Sequence, residues 1–270
     1  MNDVLLYGAT ASLAAGLATG VGALPAIFMR RISERVLDGM LGFAAGVMLA
    51  ATSFSLIAPG IEFGTETLHW RAGAAVAAVV GGMLFGAVFL DRSDKWIPHE
   101  HVILGHEGPS SSLKKTWLFI LAITLHNFPE GLAVGVGYGG AAGLAEGTPE
   151  FLSAVANGNS LAVGIGLQNM PEGLAVAVAL LREKYSLGAA LLIALATGLV
   201  EPIGGLVGAG VVTVSQPILP VAMGFAAGAM LFVISDEIIP ETHTHGYQRT
   251  ATFGLIIGFC IMMAMDKLLG

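Results

Sequence analysis

Eight stretches of this chain stay apolar long enough to cross a bilayer as helices, and that succession leaves few folds open. A span needs about 20 such residues. Inside hydrocarbon every backbone amide must be satisfied within the segment, so each stretch is helical. The runs are Val4 to Met29, Met40 to Ile61, Gly73 to Leu90, Trp117 to Tyr138, Leu152 to Leu181, Leu187 to Val212, Ile218 to Ile239 and Ala251 to Leu268. Polar or glycine- and proline-rich breaks separate them, and the long fifth run fits one crossing if it tilts. With 55% hydrophobic and 11% charged side chains and a mean hydropathy of +0.79, the chain cannot coat a soluble globule of its size. The expected fold class is therefore all-α, a polytopic membrane bundle of eight transmembrane helices forming a single domain over residues 1–270.

Charge sets the orientation. Placing the N-terminus outside puts Arg30, Arg31, Arg35, Arg92, Lys95, Lys114, Lys115, Arg182, Lys184 and Arg249 on the cytoplasmic side and leaves only Arg71 and Lys267 outside. An even number of spans brings the C-terminus back to the outer face, so the chain is expected as a multi-pass protein of the cell (inner) membrane with both ends outside. Glu62, Glu66, Glu146 and Glu150 then fall in outer loops, where acids raise the local cation concentration. The net charge of −7 and the placing of the few basic residues leave no nucleic-acid footprint. Met1-Asn2-Asp3 carries an acid in place of the basic segment of a signal peptide, so the first run is expected to be retained. The single cysteine, Cys260, excludes an internal disulfide and a multi-thiolate metal site.

Within these runs Leu125 to Val136, LHNFPEGLAVGV, returns 42 residues later as Leu167 to Val178, LQNMPEGLAVAV. A carboxylate at the centre of a membrane helix costs about 2.5–3.5 kcal/mol on insertion scales, and here the cost recurs. Positions three and four apart share a helix face, which sets His126 and Asn127 beside Glu130, and Gln168 and Asn169 beside Glu172. Pro129 and Pro171 deprive the carbonyls of Leu125 and Leu167 of their helical donors, and Pro202 after Glu201 does the same to Gly198. Three carboxylates, one imidazole and three amides suit a divalent ion of borderline character: zinc first, with iron, manganese or cadmium also served. A calcium cage needs more oxygens and no histidine. The competing structural reading pairs the histidine with a glutamate and lets the amides hydrogen-bond across helices. No lysine or arginine in these spans neutralises the three glutamates, which favours the ion.

A second echo lies at an offset of 182: Gly42-Phe43-Ala44-Ala45-Gly46, Met48-Leu49 and Ser53 match Gly224-Phe225-Ala226-Ala227-Gly228, Met230-Leu231 and Ser235. Spans two and seven cross in opposite directions, as do spans four and five, so both echoes fit inverted-repeat symmetry about an axis in the membrane plane. Small residues four apart let helices approach closely, which also leaves room for a homodimer. Met48 by itself is most simply core filler. Asp236 and Glu237, with Glu241, His243 and His245, form an expected cytoplasmic-side cluster. His99, Glu100, His101, His106 and Glu107 form another, in the cytoplasmic loop at about 91–115 between spans three and four.

With these motifs the chain resembles the ZIP (ZRT/IRT-like) family of divalent metal transporters, bacterial type, over nearly its whole length. The resemblance implies import of zinc or a related ion into the cytosol by alternating access, the metal being the transported substrate and not a cofactor. It implies a site between spans four and five at His126, Asn127, Glu130, Gln168, Asn169, Glu172 and Glu201, a contribution from Met48, and an inner-side site at Asp236 and Glu237. Some relatives carry histidine or an acid where this chain has Gln168 and Asn169. Family structures also imply a moving bundle of spans one, four, five and six against a scaffold of two, three, seven and eight. Two other functions use the same residues. An intramembrane metal-dependent hydrolase is disfavoured because the spans hold no HExxH pair, so no enzyme activity is expected. A proton-coupled carrier of a small organic solute would use the glutamates as proton sites.

Overall fold

The computed structural model describes residues 3–28, 32–96, 99–101, 105–107 and 115–269. Arg30, Arg31, Pro98 and Lys114 lie outside them, as do the side chains of His99, Glu100, His101, His106 and Glu107. The chain runs through α1 (Asp3–Ala23), α2 (Glu34–Ala50), α3 (Ala58–Glu62), α4 (Ala72–Trp96), a short antiparallel ribbon of β1 (His99–His101) and β2 (Gly105–Glu107), then α5 (Lys115–Gly137), α6 (Pro149–Arg182), α7 (Leu187–Gly198), α8 (Glu201–Val214), α9 (Leu219–Val233), α10 (Ile239–Thr242) and α11 (Gln248–Leu269).

Among the described residues, seven helical stretches are long and apolar enough to cross a membrane: Val4–Ile27, Glu34–Thr67, Ala72–Ser93, Pro149–Arg182, Leu187–Val214, Gln216–Thr242 and Gln248–Leu268. Six of the eight expected runs agree with these to within a few residues; the fourth, Trp117 to Tyr138, has no counterpart among the seven, and the second differs in length. The second was drawn from Met40 to Ile61, yet it is helical over 34 residues from Glu34 to Thr67. Its polar ends are held by local chemistry, since the Ser33 hydroxyl accepts from the Val36 amide at the start and wide π turns carry the helix through Phe63–Thr67 at the end. The loop expected at about 91–115 also starts later, because α4 continues to Trp96 and Asp91 pairs with Lys95 at 2.7 Å one turn on. α5 is a further helix of 23 residues, and most of its residues from Ile120 onward are buried.

Proline punctuates the helices where the motifs need it. Thr148 caps α6, its hydroxyl accepting from the Phe151 amide ahead of Pro149 at the first position. The sixth run is broken in two, α7 ending at Gly198 and α8 starting at Glu201 with Pro202 in its first turn. Span two widens into a π helix at Ala51–Ile57, and α9 continues into one at Ile234–Ile238. Such turns break the regular ladder and occur often at functional sites. The Thr52 hydroxyl donates to the Met48 carbonyl at 2.8 Å and lies 4.0 Å from the Met230 sulfur.

The helices pack as two groups. α2 lies along α11 and α4 along α9, while α1 is bedded against α6, α7 and α8, and α5 against α8. Within each group backbones touch. Gly42 and Gly46 press on the carbonyls of Ala251 and Leu255, and Gly224 and Gly228 on those of Val79 and Met83. In the other group Gly135 presses on the Gly205 carbonyl and Gly198 on that of Gly16. Across the boundary, glycines meet side chains: Gly164 faces the Met262 thioether and Gly139 the Leu219 methyl group. One end of the bundle is arginine-rich, with Arg35, Arg182 and Arg249. The other is acidic, with Glu62, Glu66, Glu146 and Glu150.

Candidate functional site

The glycine after each motif glutamate decides where that glutamate goes. A side chain at Gly131 would collide with the backbone of Glu201, and one at Gly173 with the backbone of Thr19. The bare glycines therefore let α5 lie directly on the start of α8, and α6 on α1. Glu130 and Glu201 come together as a result, with Gln168 and Asn169 of α6 reaching between them. The Gln168 side-chain amide donates to Glu130 Oε1 at 2.6 Å. Asn169 Nδ2 donates to Glu201 Oε1 at 2.6 Å and to the Ala15 carbonyl of α1 at 2.9 Å. Asn127, one turn before Glu130, is wholly buried, as are Glu130, Gln168, Asn169 and Glu201.

Each of these bonds uses one oxygen of its acceptor and leaves others over. Glu130 Oε2, Glu201 Oε2, Gln168 Oε1, Asn169 Oδ1 and Asn127 Oδ1 are buried without a hydrogen-bond partner. Leaving one polar atom unsatisfied costs about 1–3 kcal/mol, more when it is charged. Five oxygens on α5, α6 and α8, two of them on carboxylates, are unfavourable when left alone and suit a cation, although the Asn127 amide nitrogen is unpartnered as well. The amide bonds expected under the competing structural reading do form, but they satisfy only part of the set.

His126 and Glu172 sit at the arginine-rich side of this centre. The His126 ring lies 2.5 Å from Glu237 Oε1, in the π turn that follows α9, and Glu172 is within electrostatic range of both. This pair joins two groups that the sequence reading kept apart, a span-four histidine and an inner-side acid. Asp236 beside it is half-buried. Within the expected cluster of Asp236, Glu237, Glu241, His243 and His245, the two histidines have partners outside it. His243 Nδ1 lies 2.7 Å from the Ile239 carbonyl of its own helix, and His245 Nδ1 lies 3.0 Å from Asp38 of α2. Side chains four to nine residues along a helix and its trailing turn diverge, so neighbours in sequence find different partners. Among the described residues no three His, Cys, Asp or Glu side chains are placed to hold a metal by themselves. Met48 is wholly buried in the apolar core of α2.

Sequence reasoning missed Ala15, whose carbonyl enters the site from α1, and Gly131 and Gly173, which passed as ordinary packing residues. It also missed Ser160, buried on α6 with its hydroxyl unpartnered. Ser160 belongs to a stripe at helical spacing, Glu150, Ser153, Asn157, Ser160, Gly164 and Gln168. The stripe descends from a cavity of about 400 Å3 at the acidic end, lined among others by Glu62, Glu66, Glu150, Ser153 and Asn157. Ser55 also lines that cavity, and its hydroxyl donates to the buried Asp266 carboxylate at 2.6 Å.

A multi-pass helical membrane bundle with an acid- and amide-lined centre, reached by a polar stripe from one end, defines the protein class. The family profile "ZIP Zinc transporter" matches residues 98–266, and relatives align along almost the entire chain. The zinc transporter ZIPB of Bordetella bronchiseptica is 45% identical over 265 residues, covering 98% of this chain and 82% of that protein. The zinc transporter GufA of Myxococcus xanthus is 44% identical over 264 residues, 97% and 99% of the two chains. The human zinc transporter ZIP11 is 34% identical over 328 residues, 93% and 94% of the two. The chain belongs to the ZIP family.

Proposed function

We propose that this protein carries a divalent transition-metal ion, zinc first among them, across the membrane through the centre built by Glu130 and Glu201. The observation that carries the reading is the set of five buried oxygens without hydrogen-bond partners on α5, α6 and α8. Asn127, Glu130, Gln168, Asn169 and Glu201 supply oxygen, while His126 and Glu172 supply a nitrogen and a further carboxylate on the arginine-rich side. Gln168 and Asn169 would each turn an oxygen toward the ion while their nitrogens hold Glu130 and Glu201 in place. Zinc takes such mixed oxygen and nitrogen sets, and geometry rather than raw affinity separates it from its neighbours.

The ion enters from the acidic end. Glu62, Glu66 and Glu150 gather cations around the cavity, and the stripe through Ser153, Asn157 and Ser160 leads to Gln168. It leaves past His126, Glu172 and Glu237, with Asp236 alongside, toward the arginine-rich end, which by the excess of basic residues is the cytoplasmic one. α5 is the eighth span, and both termini lie outside the cell membrane. The inverted repeat is supported by matching seams: Gly42 and Gly46 of span two bed on span eight as Gly224 and Gly228 of span seven bed on span three. The π turns at Ala51–Ile57 and Ile234–Ile238 fall at corresponding places, and the Thr52 hydroxyl lies between the Met48 carbonyl and the Met230 sulfur. Alternating access then moves the group of α1, α5, α6, α7 and α8 against the group of α2, α4, α9 and α11.

Zinc uptake into proteoliposomes tests the reading. Glu130→Ala and Glu172→Ala should each abolish uptake while the purified protein keeps its cooperative thermal unfolding. Wild-type uptake by both variants would overturn it.

A further inference from the structure

We infer that the boundary between the two helix groups holds a binding site for an anionic phospholipid, with the headgroup on Arg35 and Arg249 and one acyl chain in the groove beside α6. This groove, of about 410 Å3, opens on the side of the bundle where α2, α6 and α11 meet. Met40 and Phe43 of α2, Ile257 of α11, and Leu167, Met170 and Pro171 of α6 line it, and among the described residues no charged side chain does. Ile257 is 53% and Met170 37% exposed, so two large apolar groups stand uncovered in a chain whose helices span a membrane. Hydrocarbon is the solvent there, and an acyl chain is the occupant of matching chemistry.

The two arginines say which lipid. Arg35, Gly39 and Phe43 lie four apart on α2, and Arg249, Phe253 and Ile257 four apart on α11, so each arginine shares a helix face with groove residues one to two turns further in. The two helices are paired in register, with Gly254 pressed on the Gly39 carbonyl, and this brings both arginines to the same level. Both are exposed and lie at helix starts, where long cationic side chains reach the headgroup layer. The neighbouring acids are engaged elsewhere: Glu34 pairs with Arg182 at 2.6 Å and Asp38 with His245 at 3.0 Å. Among the described residues neither arginine has an acidic partner. Two uncommitted positive charges above an apolar groove, at the membrane surface, match a phosphate ester joined to a hydrocarbon tail. The groove is bounded on two sides by α2 and α11 and on the third by α6, so the tail would touch both helix groups, directly behind Gln168 and Asn169.

The site rests on the chain being embedded in a membrane, and not on which ion it carries. The test is native mass spectrometry of the full-length protein in detergent, with phosphatidylglycerol or phosphatidylcholine of the same chain length at equal concentration. Phosphatidylglycerol should be retained in preference, by about fivefold for each arginine engaged. Arg35→Gln with Arg249→Gln should remove that preference, and Ile257→Trp, which fills the groove, should lower retention of both lipids. Excess glycerol phosphate should not displace the lipid, because it lacks the tail. The proposal is overturned if the wild type does not discriminate between the lipids, if the preference survives loss of both arginines, or if glycerol phosphate competes. A thermal unfolding scan of each variant separates lost binding from lost folding, and zinc uptake by the wild type separates this site from the transport reading.

Discussion

Asn169 is the residue whose replacement says most about the buried centre. Its amide nitrogen donates to the Glu201 carboxylate at 2.6 Å and to the Ala15 carbonyl at 2.9 Å. Asn169→Asp keeps the size and removes both donations. A hydrogen bond to a charged group contributes about 1.5–3 kcal/mol and a neutral one about 0.5–1.5. The metal-free variant should therefore lose about 2–4 kcal/mol before any repulsion between the introduced carboxylate and Glu201 is counted. At roughly 2–4 °C per kcal/mol for a domain of 150–250 residues, its melting temperature should drop by about 5–15 °C. A divalent cation reverses the sign, because the added acid can ligate it and the cation offsets the negative charge of both carboxylates. A ligand at a thousand times its dissociation constant stabilises by about 4 kcal/mol, so saturating zinc should return most of the loss. Thermal unfolding of the purified protein in detergent, with and without zinc, measures both effects. If the metal-free variant melts with the wild type, the amide is not holding Glu201. If zinc raises the wild type and the variant equally, no cation sits beside position 169.

Packing and the route inward each give a further test. Gly131→Ala puts a methyl group into the backbone of Glu201 and should cost about 1–3 kcal/mol, whereas Gly81→Ala, with open space around it on α4, should be neutral or gain up to about 1 kcal/mol; melting temperatures of the pair compare them directly. Ser160→Leu blocks the polar stripe above Gln168 without touching a proposed ligand, so zinc uptake should slow severalfold while zinc-induced stabilisation in detergent persists.

Much of this architecture was visible in the bare chain because the membrane makes it so. Apolar runs of about 20 residues have one use, and glutamates inside three of them advertise a cost that something must offset. Helical spacing then placed Asn127 with Glu130, and Gln168 with Glu172. Contacts between helices were harder to read. Nothing in the order of residues says that the Gln168 nitrogen would take Glu130 of another helix rather than Glu172 of its own, or that Ala15 would lend a carbonyl. His126 and Glu237 are far apart in the chain and meet through the π turn at Ile234–Ile238, a local irregularity that no hydropathy pattern records. His245 shows the converse: close in sequence to Glu241 and His243, it pairs with Asp38 of α2. The length of span two was underestimated because Glu34 and Thr67 look like loop residues, although helix ends tolerate polar side chains.

The seams of glycine against carbonyl have a mechanical meaning. Gly46 on Leu255 in one group and Gly135 on Gly205 in the other leave no compliant layer between helices, so each half behaves as a stiff block under load. Where Gly164 faces the Met262 thioether, the joint is made of rotatable side chains and yields first. Drawn apart by its ends, the molecule should tear along that soft plane, and only at higher force would the paired helices unzip.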